Sequence, residues 1–288
     1  MKLLITGASG QLGTDLVQHF RHRQIEVIAL TSADVDFLLP ECLHDVIAAV
    51  RPDWVINCAA YTQVDKAESE PDLAWRINAE AVGTIARAIH SCGGRMLQVS
   101  TDFVFDGSKT TPYVETDQPA PINVYGQTKY EGELLAQQYC DDVIILRSAW
   151  IFGASGRNFV KTILRLAGQR DTVAVVNDQQ GTPSWTRNIA EAIDGLIAAA
   201  EPGIYHFANT GVTSWYGFAA LTIETATAMG LLGTSCKVEP VTTLEYPTAA
   251  RRPAYSALAT GKISPLYPGT IPTWEAALEA MLVELKNA

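Results

Sequence analysis

The sequence of 288 residues lacks the features that mark several large classes of protein. No apolar run is long enough to cross a bilayer. The first residues lead directly into a strand-like pattern, without the apolar segment and cleavage site of a signal peptide. The formal net charge of −10 lacks the basic excess that nucleic-acid and anionic-membrane surfaces require. We therefore expect a cytoplasmic protein with no nucleic-acid or membrane partner.

Arrangements of cysteine and histidine that bind metals or form disulfide frameworks are also lacking. The cysteines are odd in number, form no CxxC pair and are scattered at Cys42, Cys58, Cys92, Cys140 and Cys236. This pattern is typical of reduced thiols in a cytosolic protein. The five histidines do not cluster either, so we expect no metal site.

The first half of the sequence contains short apolar runs that alternate with helical patterns. The runs predict strands over residues 3–6, 26–30, 54–58, 96–99 and 143–146. This alternation predicts an α/β fold with a Rossmann-type, doubly wound parallel sheet. Glycine and proline become more frequent after residue 149, which predicts a smaller α/β substrate-binding lobe. The expected division is 1–149 for a dinucleotide-binding domain, with later returns of the chain, and mainly 150–288 for the lobe.

A glycine-rich turn, Thr6-Gly7-Ala8-Ser9-Gly10-Gln11-Leu12-Gly13, follows the first predicted strand and opens the first helix. Gly7 permits the tight turn, Gly10 lets backbone approach a pyrophosphate, and Gly13 lets helix and strand pack closely. The helix N-terminus offers free N–H groups to phosphates. We therefore predict dinucleotide binding by Gly7, Ser9, Gly10, Gln11, Leu12 and Gly13.

The residues at the tip of the second predicted strand influence the choice between NAD(H) and NADP(H). An acidic residue at this tip favours NAD, whereas arginine favours the phosphorylated cofactor. The sequence here is Leu30-Thr31-Ser32, with neither. The absence of a repelling carboxylate favours NADPH and leaves NADH open. Asp36, with Phe37, comes slightly later and is better placed to meet the adenine edge.

Tyr125 and Lys129 are four residues apart and share one face of a predicted helix. A lysine ammonium beside a phenol favours the phenolate, which brings proton exchange nearer neutral pH. Thr101 ends the fourth strand, where its hydroxyl can hydrogen-bond a substrate carbonyl. The three predict a carbonyl-reduction triad in which Tyr125 protonates the oxygen and Lys129 binds the nicotinamide ribose. The alternatives are a tyrosine packed on a lysine stem and a threonine that only caps its strand.

The glycine turn resembles the TGxxGxxG turn of extended short-chain dehydrogenases/reductases. Longer stretches resemble one family of them, the dTDP-4-dehydrorhamnose reductases, over nearly the whole chain. These stretches are residues 57–68, 100–105, 123–126, 147–153, 158–159, 177–183 and 246–253. The resemblance implies NAD(P)H-dependent reduction of the C4 keto group of dTDP-4-dehydro-L-rhamnose, so the expected ligand is a dTDP-linked keto sugar.

The resemblance also implies roles for single residues. Cofactor contacts are expected at Ala59, Ala60 and Tyr61, and substrate contacts at Val64, Asp65, Thr101, Asp102, Trp150, Arg251 and Arg252. Physical chemistry agrees for some of them, since Arg251 and Arg252 can bind a pyrophosphate bidentately. Trp150 can form an apolar wall for a deoxysugar. The alternatives are a surface ion pair for the arginines and a core tryptophan.

The sequence departs from the family pattern at several positions. Phe103 stands where tyrosine is usual, and Gln63 replaces a small residue beside the expected substrate loop. Some family members bind magnesium at a dimer interface through three glutamates. The matching residues here are Asp15, Arg187 and Glu284. The positive charge of Arg187 opposes metal binding, so we expect neither the magnesium ion nor the dimer that it supports. Monomer and homodimer both stay open.

The sequence leaves three rival functions to compare with ketone reduction. A sugar-nucleotide 4,6-dehydratase needs an acid followed by a base after the catalytic threonine, but Asp102 is followed by Phe103. A C4-epimerase stays conceivable, although it would not consume NADPH. A non-catalytic regulatory subunit of the same fold would keep the glycine turn without needing Thr101, Tyr125 and Lys129.

Overall fold

The structure of the protein, a computed structural model, describes residues 1–23, 25–233 and 236–287. The strands are β1 Lys2–Thr6, β2 Glu26–Leu30, β3 Trp54–Asn57, β4 Arg95–Thr101, β5 Val143–Ser148, β6 Ile151–Phe152, β7 Thr172–Val176, β8 Gln180–Gly181, β9 Ser184–Trp185, β10 Gly203–Phe207, β11 Thr213–Ser214 and β12 Lys237–Val241. The helices are α1 Gln11–His22, α2 Pro40–Val50, α3 Val64–Ala67, α4 Pro71–Trp75, α5 Ala81–Ser91, α6 Val124–Tyr139, α7 Phe159–Ala167, α8 Thr186–Ala199, α9 Trp215–Ala228 and α10 Trp274–Asn287.

Six parallel strands form the central sheet in the order β10-β5-β4-β3-β1-β2. The predicted α/β fold with a Rossmann-type parallel sheet is therefore confirmed. The chain passes from β1 to β2 on one side and then continues from β3 on the other. Such a reversal opens a crevice at the carboxyl ends of the strands, where ligands bind in folds of this kind.

Helices cover both faces of this sheet because its buried strands are apolar on both sides. Leu3 and Ile5 point to the face that packs on α1 and α8, whereas Leu4 points to the face that packs on α2, α5 and α6. This alternation follows the two-residue period of a strand. The sheet is thus held rigidly, which fixes the positions of the strand ends around the crevice.

The second half of the chain contributes to the same sheet before it builds smaller units. Strand β10 pairs with β5, so residues 203–207 lie in the sheet that the first half begins. The remaining short strands pair as β12 with β7, β11 with β8 and β6 with β9. Helices α7, α9 and α10 pack around these pairs in two apolar clusters. A division of the chain into domains near residue 149 stays a prediction.

The described helices include none that combines the length and apolar character needed to cross a membrane. The longest of them, α6, has 16 residues.

Candidate active site

A cleft of 740 Å³ opens at the carboxyl ends of β1, β3, β4 and β5. Residues from both halves of the chain line it, from Gly7 in the glycine turn to Arg252 near the C-terminus. Three of the described lining residues are cations, Lys129, Arg157 and Arg252, and one, Asp102, is an acid. In a chain of net charge −10, this local excess of positive charge suits an anionic ligand.

The glycine turn has the close backbone approaches that a dinucleotide cradle requires. Gly7 has φ +64°, and a Cβ there would lie 2.7 Å from the Ala59 nitrogen. A Cβ on Gly13 would lie 2.2 Å from the Gly7 carbonyl oxygen, so α1 packs directly on the turn. Gly7, Ser9, Gly10, Gln11 and Leu12 line the cleft, whereas Gly13 acts from behind it. The turn therefore fits a dinucleotide, with free N–H groups at the start of α1.

A loop from the second half of the chain closes over this turn. Asn158 Nδ2 donates to Gln11 Oε1 at 3.0 Å and to the Gly153 carbonyl at 2.6 Å. Gly156 has φ +67°, and a Cβ there would approach Gln11 Cγ to 2.8 Å. The loop thereby brings the exposed Arg157 to the rim of the cleft.

The tip of β2 lines the cleft with two hydroxyl residues, Thr31 and Ser32. The carboxylate of Asp34 accepts bonds from the Thr31 nitrogen at 2.8 Å and hydroxyl at 2.7 Å, and these bonds lower its pKa. Phe37 also lines the cleft. Asp36 does not, since its carboxylate is exposed and accepts from the Leu38 nitrogen.

The segment after β3 divides its residues between the cleft and the core. Ala59, Ala60, Thr62 and Val64 line the cleft. Tyr61 turns away, because its nitrogen donates to Asn78 Oδ1 at 2.8 Å and its hydroxyl donates to Glu70 at 2.6 Å. That contact with Glu70 is the main cause that raises the pKa of Tyr61 to about 12.

Helix α6 begins where Asn123 caps it, accepting from the Gly126 nitrogen at 2.7 Å. A Cβ on Gly126 would lie 2.1 Å from the Phe103 carbonyl oxygen. This close approach brings Tyr125 and Lys129 to the end of β4, so that Thr101, Tyr125 and Lys129 line one cleft. The Phe103 ring packs edge-on against Tyr125, with ring centroids 5.7 Å apart.

The two titratable groups of this trio are governed by burial. Burial raises the pKa of Tyr125 to about 12, partly opposed by the Thr101 hydroxyl. The expected lowering of this pKa is therefore not found: Lys129 Nζ instead donates to the Val99 carbonyl at 2.7 Å. Burial lowers the pKa of Lys129 to about 8, and the Glu133 charge opposes this shift. At neutral pH the tyrosine is a neutral phenol and the lysine an ammonium.

Thr101 and Asp102 end β4 inside the cleft and are both buried. Thr101 Oγ1 accepts from the Phe103 nitrogen at 3.1 Å and donates to Asp102 Oδ1 at 3.1 Å. Asp102 is only 2% exposed, and burial raises its pKa to about 6. Its Oδ2 has no hydrogen-bond partner among the described residues. A buried carboxylate oxygen without a hydrogen-bond partner lowers the stability of the fold.

Of the two arginines predicted to bind the substrate, only Arg252 lies in the cleft. Arg252 lines the cleft and forms a bidentate pair with Asp65, with nitrogen–oxygen distances of 2.9 and 2.6 Å. This pair holds the pKa of Asp65 below its usual value. The Arg251 side chain is exposed outside the cleft, and its carbonyl accepts from Asn123 Nδ2. Asp65 thus reaches the cleft only through Arg252.

Aromatic side chains form one wall of the cleft. Trp150 stacks on Trp215 with centroids 3.6 Å apart and planes 6° apart, and Phe159 contacts Trp215 at 4.6 Å. Trp150 has φ +46°, a conformation that costs a bulky residue about 1–3 kcal/mol. Trp215, Phe159 and Arg157 come from distant segments without a local motif, and sequence reasoning missed them. Ser100 and Ser148 were missed too, although both lie near the carboxyl ends of strands.

Away from the cleft, Asp15, Arg187 and Glu284 lie together as the resemblance implied. Arg187 Nη2 donates to Glu284, and burial raises the pKa of Asp15 against the effect of Arg187 and Thr186. Within residues 1–23, 25–233 and 236–287, no group of three His, Cys, Asp or Glu side chains is arranged to hold a metal ion. The Arg187 guanidinium therefore acts on both carboxyl groups, that of Glu284 by a direct contact and that of Asp15 by its charge.

The parallel sheet, the glycine turn and the tyrosine–lysine helix at one cleft define the class of Rossmann-type dehydrogenases and reductases. The profile described as the RmlD substrate binding domain matches residues 1–287. The dTDP-4-dehydrorhamnose reductase of Escherichia coli strain K12 is 40% identical over 99% of this chain and 98% of its own length. The chain belongs to the dTDP-4-dehydrorhamnose reductase family.

Solved structures agree with this assignment. The dTDP-4-dehydrorhamnose reductase of Bacillus anthracis in complex with NADP has a TM-score of 0.93 and 36% identity, covering 99% of this chain and all of the other. The ortholog from Clostridium acetobutylicum has the same TM-score and 38% identity, over 99% of this chain and all of the other. The suspected family is therefore confirmed over both halves of the chain.

Proposed function

We propose that this chain reduces the C4 keto group of dTDP-4-dehydro-L-rhamnose to give dTDP-L-rhamnose, with NADPH as the hydride source. The observation that carries the proposal is the convergence of Thr101, Tyr125 and Lys129 on the cleft that the glycine turn also lines. Family membership supplies the sugar nucleotide, and the cations of the cleft suit its diphosphate.

Each residue of the trio has a task in this reaction. When bound, NADPH supplies a hydride to the carbonyl carbon. The Thr101 hydroxyl hydrogen-bonds the carbonyl oxygen as negative charge grows on it. Tyr125 gives its phenolic proton to that oxygen, and its raised pKa keeps the proton in place at neutral pH. The Lys129 ammonium donates one N–H to the Val99 carbonyl, and its other N–H groups would bind the nicotinamide ribose and offset the negative charge left on Tyr125.

The cofactor preference rests on the tip of β2. Ser32 offers its hydroxyl group to a 2′-phosphate, and the lining there contains no carboxylate. The carboxylate of Asp34 is occupied by the Thr31 nitrogen and hydroxyl. We therefore propose NADPH as the preferred cofactor, with slower use of NADH.

The rival functions account less well for the residues of the cleft than ketone reduction does. The position after Asp102 holds Phe103, whose ring packs on Tyr125 and cannot act as the base of a dehydratase. A regulatory subunit has no need for the buried Thr101 and Lys129, whose burial costs stability. An epimerase would regenerate its cofactor. Consumption of one NADPH per product, measured in the assay below, would therefore exclude an epimerase.

We also propose that the protein works in a reducing compartment, the cytoplasm, as a monomer or homodimer. All five cysteines are free thiols, which supports a reducing environment. Light scattering at several protein concentrations measures the oligomeric state directly.

The proposed function is tested with dTDP-4-dehydro-L-rhamnose and either NADPH or NADH. Loss of cofactor absorbance gives the rate, and NMR of the product identifies the sugar. We expect one NADPH consumed per dTDP-L-rhamnose formed. Tyr125→Phe should lower kcat by about 10³-fold, because positioned proton donors contribute about 10²–10⁴-fold, while NADPH affinity measured by calorimetry changes little.

Tyr130→Phe is the matched control, since Tyr130 lies on the same helix and does not line the cleft. Its kcat should equal that of the wild type. Reduction at an undiminished rate by Tyr125→Phe would exclude Tyr125 as the proton donor. No turnover by the wild type would exclude the reaction itself.

A further inference from the structure

Trp215 is placed against the cleft by a short strand pairing. Strand β11 pairs antiparallel with β8, so that Thr213 lies opposite Gly181 and Ser214 opposite Gln180. Ser214 then caps α9, accepting from the Gly217 nitrogen at 3.0 Å, and Trp215 is the first residue of that helix. The pairing therefore fixes the start of α9, and with it Trp215, next to the strand that contains Gly181.

The same pairing constrains Trp150. A Cβ at Gly181 would approach Trp150 Cε2 to 2.6 Å, so only glycine leaves room for that indole. Trp150 keeps its left-handed φ of +46° while its ring stacks on Trp215. A strained backbone persists only where its surroundings determine it, and here the stack and Gly181 do so.

The stacked indoles line the same cleft as Thr101 and Tyr125. Ser148 pairs with Thr101 across β5 and β4, and Trp150 follows Ser148 by two residues. In a 4-keto-6-deoxy sugar, the methyl carbon C6 is attached to C5, which is bonded to the reacting C4. A sugar whose C4 oxygen meets Thr101 and Tyr125 thus carries its methyl group close to this wall, to which Phe159 also contributes.

We propose that Trp215 is a specificity-determining residue that holds Trp150 in place, so that the paired indoles select a 6-methyl group over a 6-hydroxymethyl group. This inference rests on the proposed function for the class of sugar. Contact with the indoles makes binding of a methyl group more favourable. A hydroxyl group in the same place would lose its hydrogen bonds to water, which makes binding less favourable. Apolar pockets of this kind discriminate by about 10–100-fold.

Calorimetry with three ligands tests the proposal: dTDP, dTDP-L-rhamnose and dTDP-L-mannose, which carries a 6-hydroxyl group. The wild type should bind dTDP-L-rhamnose at least about tenfold more tightly than dTDP-L-mannose. In Trp215→Leu this ratio should fall to about threefold or less, while the affinity for dTDP stays the same. Trp215→Phe should retain most of the preference because it keeps an aromatic ring.

Circular dichroism provides a signature that a general structural role would not give. Closely stacked indoles produce an exciton couplet, which should vanish in Trp215→Phe and Trp215→Leu. It should persist in the control Trp75→Phe, since Trp75 lies at the end of α4 and not in the cleft. Adding dTDP-L-rhamnose to the wild type should change the couplet, whereas dTDP should not.

Three results would overturn the inference: no preference in the wild type, an unchanged ratio in Trp215→Leu, or an equal loss of affinity for dTDP. The last result would assign Trp215 to the nucleotide. A wild type that selects dTDP-L-rhamnose but does not reduce the keto sugar would refute the proposed reaction and support the binding wall, so the two failures are distinguishable.

Discussion

The two ends of the cleft are built in different ways. The nucleotide end comprises Gly7, Gly10, Gly13, Thr31 and Ser32, and it consists mainly of backbone whose conformation suits its residues. The reaction end comprises Thr101, Asp102, Tyr125, Lys129 and Trp150. It holds a buried carboxylate with a free oxygen, a buried lysine and a tryptophan with positive φ.

The two ends therefore affect the stability of the fold in opposite ways. At the nucleotide end, folding and binding require the same backbone geometry, so the turn is locally favourable. At the reaction end, groups are held in states that lower the stability of the fold, which is typical of catalytic sites. Substitutions should therefore reduce binding at the nucleotide end and can increase stability at the reaction end.

At the nucleotide end, the largest effect is expected for Gly13→Ala. Its Cβ would lie 2.2 Å from the Gly7 carbonyl oxygen, and such overpacking costs about 1–3 kcal/mol. The turn would have to shift, so NADPH affinity measured by calorimetry should fall by about 100-fold. Gly261→Ala is the control, since nothing lies within 4 Å of its Cβ. Unchanged affinity in Gly13→Ala would show that the turn tolerates a different geometry.

The next prediction concerns the loss of folding stability that Asp102 causes at the reaction end. The folded pKa of Asp102, about 6, exceeds its ordinary value of 3.8, so the folded protein binds this proton more tightly than the unfolded chain. Asp102 therefore lowers stability progressively as pH rises from about 4 to 6, and the full cost remains above pH 6. Asp102→Asn should be more stable than the wild type by about 3 kcal/mol at pH 7.

Urea unfolding of both proteins at pH 4 and pH 7 measures this difference. At pH 4 the gain should nearly disappear, because Asp102 of the wild type is then protonated. The comparison of the two proteins at each pH removes the contributions of all other titrating groups. A gain of equal size at both pH values would show that ionisation of Asp102 is not the cause.

The two ends also differ in how far they could be predicted from sequence. The glycine turn is contiguous, so its spacing predicts its geometry, and the alternation of strands and helices predicted the parallel sheet. Tyr125 and Lys129 could be placed on one helix face by their spacing. Their pKa values could not be predicted, because burial depends on packing against β4 that no local pattern encodes.

The aromatic wall was only partly predictable for a related reason. Trp150 follows a strand, but its partner Trp215 is brought near by the pairing of β11 with β8. The positive φ of Trp150 also violates the local preference of the residue. Local rules fail most often at strained and functional positions, and this wall is such a position.

A smaller effect is expected for Arg252→Ala, which removes a cation at the substrate side of the cleft. Charge-assisted hydrogen bonds to a diphosphate contribute about 1.5–3 kcal/mol each, so KM for the sugar nucleotide should rise at least about tenfold. KM for NADPH should not change. Arg165→Ala, an exposed position on α7, is the control. An equal rise in both KM values would instead indicate a general distortion of the cleft.

The smallest effect is expected for Ser32→Asp at the tip of β2. A carboxylate there would repel the 2′-phosphate of NADPH and could hydrogen-bond the free 2′-hydroxyl of NADH. Because Ser32 is exposed, water weakens the repulsion to about 1 kcal/mol. The ratio of kcat/KM for NADPH over NADH should thus fall about fivefold, and less at high salt. Ser32→Asn, which has nearly the same shape without the charge, should leave the ratio within about twofold. If Ser32→Asp weakens both cofactors equally, the tip of β2 does not discriminate between them, and the preference must arise elsewhere in the nucleotide end.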